Sequence, residues 1–232
     1  RMAEYVLRNK IDLNYILFIS IKMTEQMNSE KTPGKVYVAS MIMRGKRAEL
    51  PKELDNAVKV NVTSAQRTNN PYRVDFSPMT AIPGKYKGYH CFENYWQSGK
   101  IFQDTDREKQ LQWWKKQEKG KRRYPGSKGN RVLHAVFNGE EYDYVNSRKH
   151  VYVPEYYEVI KNTNSLKQLI EMRNNGKNIV IFDFDGPRKE NGDNTYKEVT
   201  MEMLIEEIHN VRVPFGHGYI IAAAINGINL VF

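Results

Sequence analysis

Glu93, Trp96, Gln97 and Lys100 follow one another at i, i+3, i+4 and i+7, the spacing that places four side chains on one face of a helix. A core-facing stripe would carry Leu, Ile or Val there. This one carries a carboxylate, an indole, an amide and an amine. It reads either as a solvated face with one buried Trp and a Glu–Lys pair or as a catalytic helix. A second set is Asp183 and Asp185, two carboxylates at the end of the buried-strand signal over 178–185. As residues i and i+2 of a strand they would share a face, and strand ends collect polar groups in α/β sites; a capped strand end is the alternative. A third set is Gly216-His217-Gly218, ahead of a small-residue helix. Free backbone N–H groups and a positive helix end there suit a phosphate or pyrophosphate, although close helix packing explains two glycines equally well.

Other chemistries are excluded by what is missing. No second His stands at metal-ligand spacing from His217, so no metal site is expected. Ser98 lacks a nucleophile elbow, and no pattern places His90 or His217 beside Cys91. The run Asp183-Phe184-Asp185-Gly186 is similar to the opening motif of haloacid-dehalogenase-type phosphatases. However, only 46 residues follow Gly186, Pro187 stands where Thr or Val is usual, and no later acidic pair appears.

The elements that must position these groups are predicted as follows. Alternating apolar residues give strands over 35–40 and 57–63, and a short strand ending at 74–79. A helix runs over 91–103. Asp106 caps a second helix to about 117. Residues 132–137 and 150–153 form a pair of strands joined through Gly139-Glu140-Glu141 and a polar stretch. Helices follow over 154–160 and 166–174, then the buried strand 178–185, a helix over 201–210 capped by Thr200, and a final helix over 219–226. The expected fold is α+β: one mainly helical domain over 35–232 with a few short strands. Residues 1–34 are read as an extension or linker, with 24–34 polar and turn-rich and Met2, Met23 and Met27 as possible starts.

The bulk properties fit a globular enzyme or a nucleic-acid-binding protein. The chain has 232 residues, 40% hydrophobic and 27% charged, enough for a sizeable core. The single Cys91 excludes an internal disulfide framework and fits a reducing compartment. The apolar run 16–21 is far shorter than the roughly 20 residues a bilayer span needs. Net charge is +9, with eight basic residues and one acid between Lys115 and Arg131. Trp113 and Trp114 precede that segment, so 113–131 reads as a basic, aromatic insertion. Lys121, Arg122 and Arg123 would meet phosphates and Trp114 would stack on a base; a solvated loop with an anchored Trp is the alternative.

Taken together, three segments resemble the NADAR superfamily, the YbiA-like N-glycosidases that include ADP-ribosyl-guanine hydrolases. Phe76-Ser77-Pro78-Met79 resembles the family's Phe-Ser-Asn-Phe/Met segment. The stretch from Tyr89 to Phe102 resembles its Glu-His-Tyr-Tyr-Gln-Ala-x-Lys-Phe helix, with Glu93, Gln97 and Lys100 in register. Phe215-Gly216-His217-Gly218 with 222–227 resembles its late Trp-Gly-x-Gly and Asn-x-Leu-Gly segment. Asn94 stands where the family has His and Phe215 where it has Trp, and the second acidic position falls on Asp183 or Asp185. The resemblance implies hydrolysis of the bond between ADP-ribose and guanine in DNA, which would reverse the action of a DNA-modifying toxin. It implies Glu93 and either Asp185 or Asp183 as the catalytic carboxylates. Lys100, Gly216, His217 and Gly218 would hold the diphosphate, Trp96 or Phe76 would stack on a ring, and Ser77 and Gln97 would line the site. The implied partner is ADP-ribosylated nucleic acid, single-stranded DNA above all, with no cofactor, no membrane and no obligate protein partner. The implied location is a bacterial cytoplasm, or that of an infected host if the gene is a phage's. A hydrolase of small ribosylated metabolites and a non-catalytic nucleic-acid-binding module are the competing expectations.

Overall fold

A computed structural model describes residues 32–44 and 49–230; the possible start sites, the apolar run 16–21 and nearly all of the expected extension lie outside the described residues. Strand β6 (Ile179–Asp183) is buried along its whole length. A strand that is apolar on both faces belongs in the middle of a sheet with parallel neighbours, and that is where it lies. β1 (Val36–Ser40) and β2 (Val58–Asn61) flank it in parallel, Val36 opposite Ile179 and Val60 opposite Ile181. β7 (Tyr196–Glu198) adds antiparallel to β1, giving the order β2-β6-β1-β7. A second, antiparallel sheet has the order β3-β4-β5: Lys100–Phe102, Val132–Phe137 and Glu140–Tyr142. One hydrophobic cluster takes in Val38, Ile181, Phe92, Trp96, Phe137, Tyr152 and Tyr219, so both sheets and the helices between them share a core. The fold is α+β, two small sheets among helices and helical turns that hold 40% of the described residues.

Several elements differ from expectation, each for a local reason. Residues 71–76 form helix α1 (Pro71–Phe76) rather than a strand. Asn70 caps it by accepting from the Tyr72 N–H at 3.0 Å, and Pro71 takes the first-turn position that needs no N–H donor. Helix α2 (Phe92–Ser98) stops five residues short of the expected 103. Gly99 follows it, and a Cβ there would lie 2.1 Å from the Phe137 ring. The chain therefore turns against β4 and leaves Lys100 as the first residue of β3, not the last turn of a helix. Helix α3 (Arg107–Lys115) starts at the expected cap, with Asp106 accepting from the Lys109 N–H. Asn138 and Gly139 both have positive φ and close a β4–β5 hairpin where a longer connection is expected.

The expected strand 150–153 is helical. Asp143 caps α4 (Tyr144–Ser147), a π turn spans Arg148–Tyr152, and α5 (Val153–Ile160) continues from it. Helices α6 (Asn164–Asn174), α7 (Met201–His209) and α8 (His217–Ile225) complete the chain. Gly34 is tied to the end of α6 through its N–H on the Arg173 carbonyl. α8 is buried along almost its whole length and packs on α5, α6, β1 and β6. It fixes its own N-terminus at the carboxyl end of the parallel strands.

Candidate active site

A cleft of about 830 Å³ opens at that carboxyl end, within the size range of small-molecule sites. Its walls come from α2 (Glu93, Trp96, Gln97), β3 (Lys100), the end of β6 and the turn after it (Asp183, Asp185) and the start of α8 (His217). Ser77, the basic loop (Arg122, Arg123) and the π turn (Arg148, Tyr152) complete it. Four separate segments of the sequence thus bring Glu93, Trp96, Gln97, Lys100, Asp183, Asp185, His217 and Ser77 to one cleft.

Glu93 is partly buried at the start of α2. Burial holds its carboxyl above the usual range, opposed by the Gln97 amide and the nearby Lys100 ammonium. Gln97 donates to Glu93 Oε1 at 2.8 Å, so helix spacing i, i+4 fixes that pair. Lys100 lies beneath Trp96, with Nζ 5.7 Å from the ring centre. Burial lowers its pKa, and the charges of Glu93 and Asp185 act the other way. Trp96 is itself nearly buried. It stacks on Phe137 at 5.5 Å and leans on Tyr152 at 4.8 Å, so it supports the cleft as much as it lines it.

The two aspartates have different surroundings. Asp183 ends β6 and is only 1% exposed. Its Oδ2 accepts from the Gly218 N–H at 2.7 Å and lies 3.2 Å from His217 Nδ1. His217 Nε2 stands 3.0 Å from the Val62 carbonyl. A carbonyl only accepts, so Nε2 carries a proton. Asp185 lies beyond the strand, in the turn, and is exposed to the cleft. Its carboxyl is held above the usual range by desolvation and then by the charge of Asp183. The shared strand face expected for the pair therefore does not exist. Asp183 is built into the fold and Asp185 faces the open space.

The glycine turn binds an anion, but the anion is the protein's own. A Cβ on Gly216 would sit 2.5 Å from Asp183 Oδ2, and one on Gly218 would sit 2.8 Å from Asp183 Cβ. Both glycines are needed for this close approach. With the Gly218 N–H taken by Asp183 and neither glycine on the cleft wall, the two glycines do not cradle a diphosphate as expected.

Three further expectations are corrected. Phe76 is fully buried, stacks with Tyr72 and is absent from the cleft wall; only its carbonyl is used, by the Tyr156 hydroxyl. Trp114 lies in α3 with no exposed surface and cannot stack on a base. The basic segment is not a separate surface. The buried Asn94 clamps its backbone, donating to the Lys119 carbonyl at 3.0 Å and accepting from the Lys121 N–H at 2.7 Å. Beyond the clamp Arg122 turns into the cleft, donating to Ser64 Oγ at 3.1 Å with its guanidinium 5.8 Å from the Phe184 ring. Arg123 also lines the cleft, whereas Lys121 is exposed outside it.

Arg148, Tyr152, Thr63, Ser64 and Phe184 line the cleft without having been singled out from the sequence. Arg148 and Tyr152 fall in a segment read as polar stretch and strand, so only its helical conformation reveals them. Phe184 was hidden as a strand residue between the two aspartates, yet it is 45% exposed at the rim.

Among the described residues no helix is long and apolar enough to cross a membrane. No curated protein and no solved structure matches the chain. Residues 43–202, which include α2, the basic loop and both aspartates, match a family of unknown function, and by that match over most of its length the chain belongs to DUF6939.

Proposed function

We propose that the cleft is the active site of an N-glycosidase of the NADAR type, which hydrolyses the bond between ADP-ribose and guanine in nucleic acid. The observation that carries this reading is the grouping of Glu93, Gln97 and Lys100 with Asp185 in one cleft of nucleotide-compatible size. Hydrolysis of a ribosyl C–N bond passes through a cationic, oxocarbenium-like state. A water adds to the anomeric carbon as the base departs with the bonding electrons. One proton must leave the water and one must reach the base. Two carboxyl groups in the cleft, Glu93 and Asp185, each held above the usual carboxyl range by burial, suit those transfers. Glu93, steadied by Gln97, would also face the developing positive charge. Asp183 and His217 would act by holding the β6–α8 junction in place.

A second reading keeps the chemistry and changes the substrate to a small ribosylated phosphate. It is favoured by the burial of Trp114 and by the inward turn of Arg122, which make the basic loop a wall of the cleft. The test is release of ADP-ribose from DNA ADP-ribosylated on guanine, wild type against Glu93→Gln, with free ADP-ribosyl-guanosine in parallel. Wild-type release lost in the variant is expected. No release by wild type from either substrate, or equal release by the variant, would refute the glycosidase reading. Release from the free nucleoside alone would favour the second.

A further inference from the structure

Arg148 is only 2% exposed, yet among the described residues its guanidinium has no carboxylate within ion-pair distance. Its Nη1 donates to the carbonyls of Ile208 and Asn210 at 3.1 and 2.9 Å, and its Nη2 to that of Val213 at 2.7 Å. The Tyr144 ring centre lies 3.9 Å from its Cζ. These carbonyls lie at and just beyond the C-terminal end of α7, so they offer the negative end of a helix dipole but no full counter-charge. A guanidinium stays charged in a protein, and a buried charge without a counter-charge is costly. Three carbonyl bonds leave two of its five N–H donors, and the residue is part of the cleft wall. The residue begins the π turn that Tyr152 ends, and both reach the cleft wall. Such widened turns recur at functional sites.

Cations outnumber acids in the cleft that Arg148 lines: five, itself included, against Glu93, Asp183 and Asp185. Lys100, Arg122, Arg123 and Lys128 line the same cleft, and of its acids Asp183 is already matched by the Gly218 N–H and His217. The Gly218 N–H at the start of α8, which could have met an anion, is taken by that carboxylate. We infer that Arg148, together with Lys100, forms a subsite for a phosphoryl group of the substrate, supplying a planar two-donor fork to its oxygens. The identity of the rest of the ligand rests on the glycosidase reading; the phosphoryl subsite itself does not.

The probe is inorganic pyrophosphate with the full chain. Calorimetry should detect binding to wild type that weakens as salt rises, and Arg148→Lys, which keeps the charge but loses the fork, should bind at least about tenfold more weakly. Crystals of wild type soaked in pyrophosphate should place phosphoryl oxygens within hydrogen-bond reach of Arg148, a result that does not depend on the variant folding. Pyrophosphate absent or seated elsewhere in those crystals, or bound equally by Arg148→Lys, overturns the inference. The two proposals fail separately. Pyrophosphate on Arg148 in a protein that hydrolyses no ribosyl substrate upholds the subsite and sinks the glycosidase. Hydrolysis by a protein whose Arg148 binds no phosphoryl group does the reverse.

Discussion

Glu93 is drawn two ways: burial favours its neutral form, while Gln97 and Lys100 favour its charge. If it removes a proton from water it must be ionised, so the rate should fall on the acid side through a pKa above the ordinary value of 4.5. Glu93→Gln should lower kcat by about 100- to 10,000-fold. Its effect on stability has a sign that can be worked out. The folded state binds the Glu93 proton more tightly than the unfolded state, so raising the pH above 4.5 costs stability until the folded pKa is passed. Glu93→Gln removes that cost. It should raise Tm near neutral pH and leave it little changed below about pH 4, as thermal melts at the two pH values would establish. The aspartates should separate cleanly in a similar comparison. Asp183→Ala strips the partner from the buried Gly218 N–H and should cost about 1–3 kcal/mol of stability. Asp185→Asn, at an exposed position, should reduce turnover with a change in stability within about 0.5 kcal/mol. Denaturant titration beside a rate assay would reveal the opposite pattern if the roles were reversed.

Elements carry these residues, and the clearest case is the clamp between α2 and the basic loop. Asn94 gives both ends of its amide to the loop backbone in a buried setting. Asn94→Leu would leave the Lys119 carbonyl and the Lys121 N–H without partners. It should cost about 1–3 kcal/mol and raise KM more than it lowers kcat, because Arg122 and Arg123 lose their bearing on the cleft. An unchanged KM would show that the loop is held by other contacts. This clamp also marks the limit of what the sequence reveals. The polar face of α2 stands out because its residue types contradict a core stripe, and β6 stands out because it is apolar up to its last residue, Asp183. Both are local patterns. Lys100 reached the cleft by a different route from the one its spacing implied, since Gly99 lets Phe137 pass close and turns the chain into β3. The Asn70-Pro71 cap and the Asn138-Gly139 turn are local signals too, and they outweigh the alternation that otherwise argues for a strand or a loose connection. The burial of Trp114 and the exposure of Asp185 are different. They depend on what packs against each residue from distant parts of the chain, and no spacing within the sequence encodes that.

At the scale of the whole molecule the net charge of +9 is divided by the fold. Arg122, Arg123, Lys128, Lys100 and Arg148 turn towards the cleft, while Lys121 stays outside it. A small ribosyl phosphate would meet only the first group. A nucleic acid carrying the same group would extend beyond the cleft and meet outward cations as well, releasing counterions at each contact. The two substrates therefore make different demands on two adjacent residues. Arg122→Gln should lower kcat/KM on both the polymer and the free nucleoside, because its guanidinium spans from Ser64 to the Phe184 ring at the rim. Lys121→Gln should act on the polymer more than on the nucleoside, and should flatten the log–log salt dependence of the polymer reaction by about one unit. Initial rates on both substrates over a salt series would decide. If Lys121→Gln lowers the two rates by the same factor, or leaves the polymer's salt dependence as steep as in wild type, the nucleic acid does not run over this side of the cleft, and the small-substrate reading gains.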